Sequence, residues 1–206
     1  MGRTYAELDD KLVAFITSQP VFFVATAPTS GGHVNVSPKG YADTFAVLGP
    51  RTVAYLDLTG SGVETVAHLR DNGRVTVMFC AFAGPPKIVR LFGTGRVVLP
   101  GDVGWEELAA GFGPRGGARA AVVVDVERVA DSCGYAVPLM HFDRERDVLS
   151  DWHRHKGEEA LGAYRAERNA ASIDGLPGLP GQPGPAGPPG AAGTWTKAGP
   201  GQGAGR

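Results

Sequence analysis

The chain has 206 residues, 43% of them hydrophobic and 20% charged, with a formal net charge of −1. That balance suits one globular domain with a sizeable core and argues against a basic nucleic-acid-binding surface. No apolar run approaches the roughly 18 residues needed to span a bilayer, so no membrane partner is expected.

The first segment, MGRTYAELDDKL, carries acids and lacks the apolar core of a signal peptide. Cys80 and Cys133 stand far apart and read as reduced thiols. Both features lead to the expectation of a cytoplasmic protein. Thr4 to Ser18 predicts a helix with Leu8, Leu12, Phe15 and Ile16 on one face, stopped by Pro20. VFFVATA (21–27) predicts a strand, and Ser30, Gly31 and Gly32 a turn into a strand at 33–37. Further strands are predicted at 44–48, 52–58, 74–82, 87–99 and 119–131. Asp102 to Ala110 predicts a short helix, and two more helices are expected at 146–155 and 157–171. Six or seven strands, tight turns and few long helices describe a mainly β (α+β) chain folded as an antiparallel barrel.

Composition changes at Gly175, where six Gly-X-Y triplets begin. Residues 175–206 hold too little apolar side chain to offset their chain entropy. They are expected to form a disordered, polyproline-like tail behind a folded domain of residues 1–174, with a collagen-like trimerising stalk as the alternative.

Three stretches carry candidate chemistry. In HVNVSPKG, strand alternation places Asn35, Ser37 and Lys39 on one face, opposite Val34 and Val36. Pro38 cannot donate to a ladder and ends or bulges the strand. An amide, a hydroxyl and a cation on one face suit a heterocycle or a phosphate, or simply a solvated edge. In Thr59-Gly60-Ser61-Gly62-Val63-Glu64-Thr65, Ser61 and Glu64 fit the S-x-x-E capping box that opens a helix. A helix N-terminus beside two glycines can also receive phosphate, although Glu64 opposes a second negative charge. In KIVRLFGTG, Arg90 stands between Ile88 and Phe92 on one strand face, with Lys87, Val89 and Leu91 on the other. A shielded guanidinium requires a carboxylate or a phosphate. Gly93 and Gly95 admit a ligand or another backbone at close range. His141, His153 and His155 have no ligand cluster around them, so no metal is expected. Walker and GxSxG motifs are absent.

Together, VNVSPKG, DLTGSGVETVAHLRDNGRVTVMF, GPPKIVRLFGTG, SCGYAVPLM and KGEEALGAYRAERNAASIDGLP resemble the pyridoxamine 5'-phosphate oxidase-related family, in particular a bacterial subgroup of it. The resemblance covers about residues 19–174. It implies a six-stranded split barrel of the FMN-binding type with flanking helices. It also implies a homodimer with FMN at the subunit interface and a small-molecule substrate. Asn35, Ser37, Pro38 and Lys39 then fall on the strand that lines the flavin. Thr59, Gly60, Ser61, Gly62, Glu64 and Thr65 fall near the phosphate, and Lys87 and Arg90 on a strand that adds flavin contacts. Lys39 or Arg90 would face the flavin's N1–C2 carbonyl, and no catalytic acid or base is assigned. The true oxidases carry Ser-Arg-Lys before the helix where this chain has Val63-Glu64-Thr65. The expected activity is therefore a flavin-dependent oxidoreductase of open substrate. The alternatives are a non-catalytic flavin-binding or redox-sensing module, and a deazaflavin-dependent reductase or a protein without cofactor.

Overall fold

The structure, a computed structural model, describes residues 2–113 and 115–180. Among them, eight antiparallel strands are β1 (Thr4–Tyr5), β2 (Val21–Thr26), β3 (Asn35–Gly40), β4 (Phe45–Gly49), β5 (Thr52–Leu58), β6 (Arg74–Cys80), β7 (Ile88–Val98) and β8 (Ala118–Ser132). Helices are α1 (Asp10–Thr17), α2 (Glu64–Asp71), α3 (Trp105–Ala110) and α4 (Val148–Arg168). The strands form one sheet in the order β3-β2-β6-β7-β8-β5-β4, and β1 adds to β8. The expected antiparallel barrel is an eight-stranded sheet of the same class: the seven strands read from the sequence are all present, and the two-residue β1 is the eighth.

The sheet curls until its ends face each other. Phe22 of β2, Phe79 of β6 and Phe45 of β4 meet inside it, with ring centroids 5.1–5.7 Å apart. Val24, Val53, Val77, Leu91, Val122 and Val124 complete a dry interior. Twist carries these β-branched rows from one edge of the sheet to the other. A second, smaller core lies outside β5 and β8, where Phe112 and Leu108 cover Leu56, Ala121 and Val123.

The start of α1 differs from expectation. Thr4 and Tyr5 pair with Ala130 and Val129, so α1 begins only at Asp10, capped by the Asp9 carboxylate on Leu12 N–H at 2.8 Å. The two expected C-terminal helices are both present within α4: they abut at Gly157, whose backbone is non-helical, with φ +70° and ψ 165°. The segment after α4 turns back on the domain. Ser172 N–H donates to Leu176 O, Gly178 N–H to Ala170 O and Leu179 N–H to Asn169 O. Arg70 also donates to Gly178 O. Residues 175–180 are therefore packed and hydrogen-bonded, and the tail expected from Gly175 does not begin there. The rest of that expected tail, residues 181–206, lies outside the described residues.

Candidate functional site

The face of β3 holds the first part of the site. Pairing with β2 sets Lys39 beside Phe22, Ser37 beside Val24 and Asn35 beside Thr26, so all three side chains point to the concave side. Asn35 donates to Thr65 Oγ1 at 3.0 Å and to Thr26 Oγ1 at 3.2 Å, and Ser37 donates to Asn35 Oδ1 at 3.0 Å. Buried His68 closes this network with Nδ1 3.0 Å from Thr26 Oγ1. Pro38, Val36 and Val34 face outward and are exposed. Pro38 pairs with Phe23 in register, so it does not end the strand, which runs on to Gly40.

Lys39 reaches across the mouth of the barrel. Its ammonium lies 2.7 Å from Asp57 Oδ1 on β5, while Arg119 of β8 holds Asp57 Oδ2, also at 2.7 Å. Asp57 is fully buried. Burial pushes its carboxyl up, yet Lys39 and Arg119 outweigh that and hold it below the usual carboxylate range. Burial, and then the Asp57 charge, push the neighbouring Tyr55 phenol well above its ordinary value, so it stays protonated.

The loop between β5 and α2 is held by its carbonyl groups. His153 donates to Thr59 O at 2.8 Å. Gly60 O accepts from Arg119 and from Asn169 Nδ2, Ser61 O from Asn169, and Gly62 O from Arg119 at 2.7 Å. Arg165 donates to Thr59 Oγ1, and Arg119 to Asn169 Oδ1. His153 reaches Thr59 because Gly117, at φ +78°, has no side chain; a Cβ there would strike the imidazole ring. The expected capping box is not formed. The helix starts two residues later than the box requires, with Val63 as its N-cap and no side-chain cap. Ser61 is exposed, and Glu64 Oε1 instead accepts from Ile173 N–H at 3.3 Å.

Lys87 and Arg90 lie elsewhere. Arg90 is opposite Met78, which is opposite Phe23, and Phe23 is opposite Pro38, so Arg90 shares the outward sheet face with Pro38. It is half-buried and donates to Ser132 Oγ at 3.1 Å. No carboxylate among the described residues pairs with it. The Lys87 ammonium sits 5.1 Å over the Phe15 ring of α1. Gly93 is where another backbone comes close: the ladder shifts there, and a Cβ would hit the Asp125 carbonyl.

The concave cluster thus joins Asn35, Ser37, Lys39 and Thr65 with the caged loop Thr59–Gly62, and leaves Lys87 and Arg90 on other surfaces. Sequence reasoning missed Asp57, Arg119, His153, Arg165 and Asn169. Asp57 had a readable signal, as the one charge in the apolar strand β5, whereas Arg119 stands at the start of a strand that also carries Asp125, Glu127, Arg128 and Asp131. The donors present fit a flavin phosphate. Among the described residues no acceptor takes the N–H groups of Ser61, Gly62 and Val63, while the carbonyls of Gly60, Ser61 and Gly62 in the same peptides are bound on the other side. The polar face of β3 fits the hydrogen-bonding edge of a flavin ring.

Comparison with known proteins agrees with this architecture. The family profile described as Pyridoxamine 5'-phosphate oxidase matches residues 8–133. The "Pyridoxamine 5'-phosphate oxidase family protein ustO" of Aspergillus flavus is 42% identical, covering 84% of this chain and 76% of that protein. A crystal structure of a single-residue variant of HupZ from Group A Streptococcus has a TM-score of 0.50 at 22% identity, over 60% of this chain and 98% of that one. The fold, then, is of the split-barrel class these proteins share. The chain belongs to the pyridoxamine 5'-phosphate oxidase family.

Proposed function

We propose that this protein is a homodimeric flavin-dependent oxidoreductase that holds FMN between two copies of the chain and acts on a small-molecule substrate in the cytoplasm. One observation carries the reading. Lys39 and Arg90 lie on opposite faces of the same sheet, so they cannot line one pocket within a protomer. Between two copies, the concave face of one and the outward face of the other can meet. A half-buried arginine bound, among the described residues, to a serine hydroxyl and to no carboxylate suits such a shared site. The exposed strip of Val34, Val36 and Pro38 suits the contact beside it.

The flavin would supply hydride transfer when bound. Asn35 and Ser37 would hydrogen-bond the ring edge. Lys39, held by Asp57, would present a cation to the ring's carbonyl side. The amides of Ser61 to Val63 would take the phosphate. Asp57 stays ionised at neutral pH and is spoken for by two cations, so it orients Lys39 and does not move protons.

The absorbance spectrum of purified protein titrated with FMN tests the reading. Saturable flavin binding at one per protomer, bleached anaerobically by a reduced nicotinamide, is the expected result. Binding without bleaching would instead favour a non-catalytic flavin module. Protein that takes up no flavin sinks both.

A further inference from the structure

We infer that Arg119 is the positioning residue of this site, an inference that rests on the flavin reading above. Its side chain is only 5% exposed. It has four acceptors: Asp57 Oδ2 at 2.7 Å, Gly60 O at 3.2 Å, Gly62 O at 2.7 Å and Asn169 Oδ1 at 2.8 Å. These four lie on three separate parts of the chain: a strand, the loop that follows it, and the residue that ends α4.

Covalent geometry and charge then act at two ends of the site. A trans peptide points its C=O and N–H in opposite directions. Holding Gly60 O and Gly62 O therefore turns the N–H groups of Ser61 and Val63 away from Arg119. Those amides are the donors a flavin phosphate would meet. On the other side, Asp57 shares its two oxygens between Arg119 and Lys39. Without Arg119, the buried carboxylate would depend on Lys39 alone and draw its ammonium inward, away from a bound ring. One buried fork thus sets the phosphate end and the ring end together. Lysine cannot replace it, because an ammonium has three donors and no planar fork.

A positioning role differs from a purely stabilising one in that it separates FMN from riboflavin, which differ only in the phosphate. The test is a fluorescence titration of both flavins on the full chain, for wild type, Arg119→Lys and Asn169→Ala, with melting curves taken without flavin. Wild type should bind FMN at least about tenfold more tightly than riboflavin, the scale of one or two charge-assisted hydrogen bonds. Arg119→Lys keeps a cation beside Asp57, and with it the ring end, but loses the fork on Gly60 O and Gly62 O, so it should lose most of that preference: FMN weakens about tenfold while riboflavin changes by less than about threefold. A variant that weakens both flavins by the same factor, or neither, overturns the inference. Should Arg119→Lys fail to fold, Asn169→Ala decides: a reduced FMN preference supports the inference and an unchanged one overturns it. Wild type that binds both flavins equally also overturns it while leaving the flavin reading intact. Wild type that binds neither defeats that reading and this inference with it.

Discussion

Asp57 shows how a buried charge is tolerated and what it does. A carboxylate with no exposed surface is costly unless its lone pairs are taken, and here a lysine and an arginine take both oxygens. Removing the charge leaves the buried Arg119 guanidinium without its counter-charge. Asp57→Asn should destabilise the protein by about 3–5 kcal/mol, measured by denaturant unfolding at pH 7. The pH dependence has a definite sign. The folded carboxyl titrates below its unfolded value, so the unfolded chain binds the extra proton first. The stability Asp57 contributes is present above about pH 4 and is lost as pH falls through its folded value. The acid limb of a stability–pH curve should therefore be shallower in Asp57→Asn than in wild type. Glu64 makes the opposite kind of prediction. Its carboxylate lies in the first turn of α2, close to the amides assigned to phosphate. Glu64→Gln should tighten FMN, by up to about fivefold at low salt, and the gain should shrink as salt is added.

At the level of elements, α4 and the segment behind it act as a brace for the β5–α2 loop. His153, Arg165 and Asn169 reach that loop from three successive positions along one side of the chain's C-terminal part. Ile173 and Gly178 then tie the segment to Glu64 and Arg70. His33 adds an outer clasp, its ring and backbone N–H both on Asp174. Truncation after Pro180 should leave the melting temperature within about 2 °C of the full chain, since every one of these bonds survives. Truncation after Arg168 removes Asn169 and all that follows. It should lower the melting temperature by several degrees and cost FMN more than riboflavin. Differential scanning fluorimetry and flavin titration read both effects. A residue-by-residue view of the chain cannot find this brace, because Asn169 and Gly60 are far apart in sequence and carry no pattern linking them.

For the whole molecule, the sheet divides its candidate residues between two faces, and that division predicts complementation. Lys39→Met and Arg90→Ala should each lose flavin, by about tenfold in affinity for one charge-assisted bond. Co-expressed, they should recover about a quarter of the wild-type sites, because random pairing makes half the dimers mixed and each mixed dimer holds one intact site. Flavin content per protomer after co-purification with two different tags measures this. Recovery of no sites would show that both residues serve a single protomer or that neither touches flavin.

Local periodicity and turn chemistry made most of the fold legible. The alternation of Asn35, Ser37 and Lys39 against Val34 and Val36 specified which face of β3 is polar, and the structure keeps it. The β-branched runs at β5 and β8 and the close backbone approach at Gly93 were readable for the same reason, since strand geometry is set by neighbours in the chain. The motif order also carried the family. What only the tertiary structure decided were the partners. Ser61 and Glu64 matched a capping box, but the carbonyls around them were claimed by Arg119 and Asn169, and the helix began two residues later. Arg90 had a serine where a carboxylate or a phosphate was expected, and Lys39 met Asp57 across the barrel mouth. Sequence determined the strands and their faces because those follow from the chain's own period. Which charge meets which depends on how the sheet closes, and closure brings together residues that no local period relates.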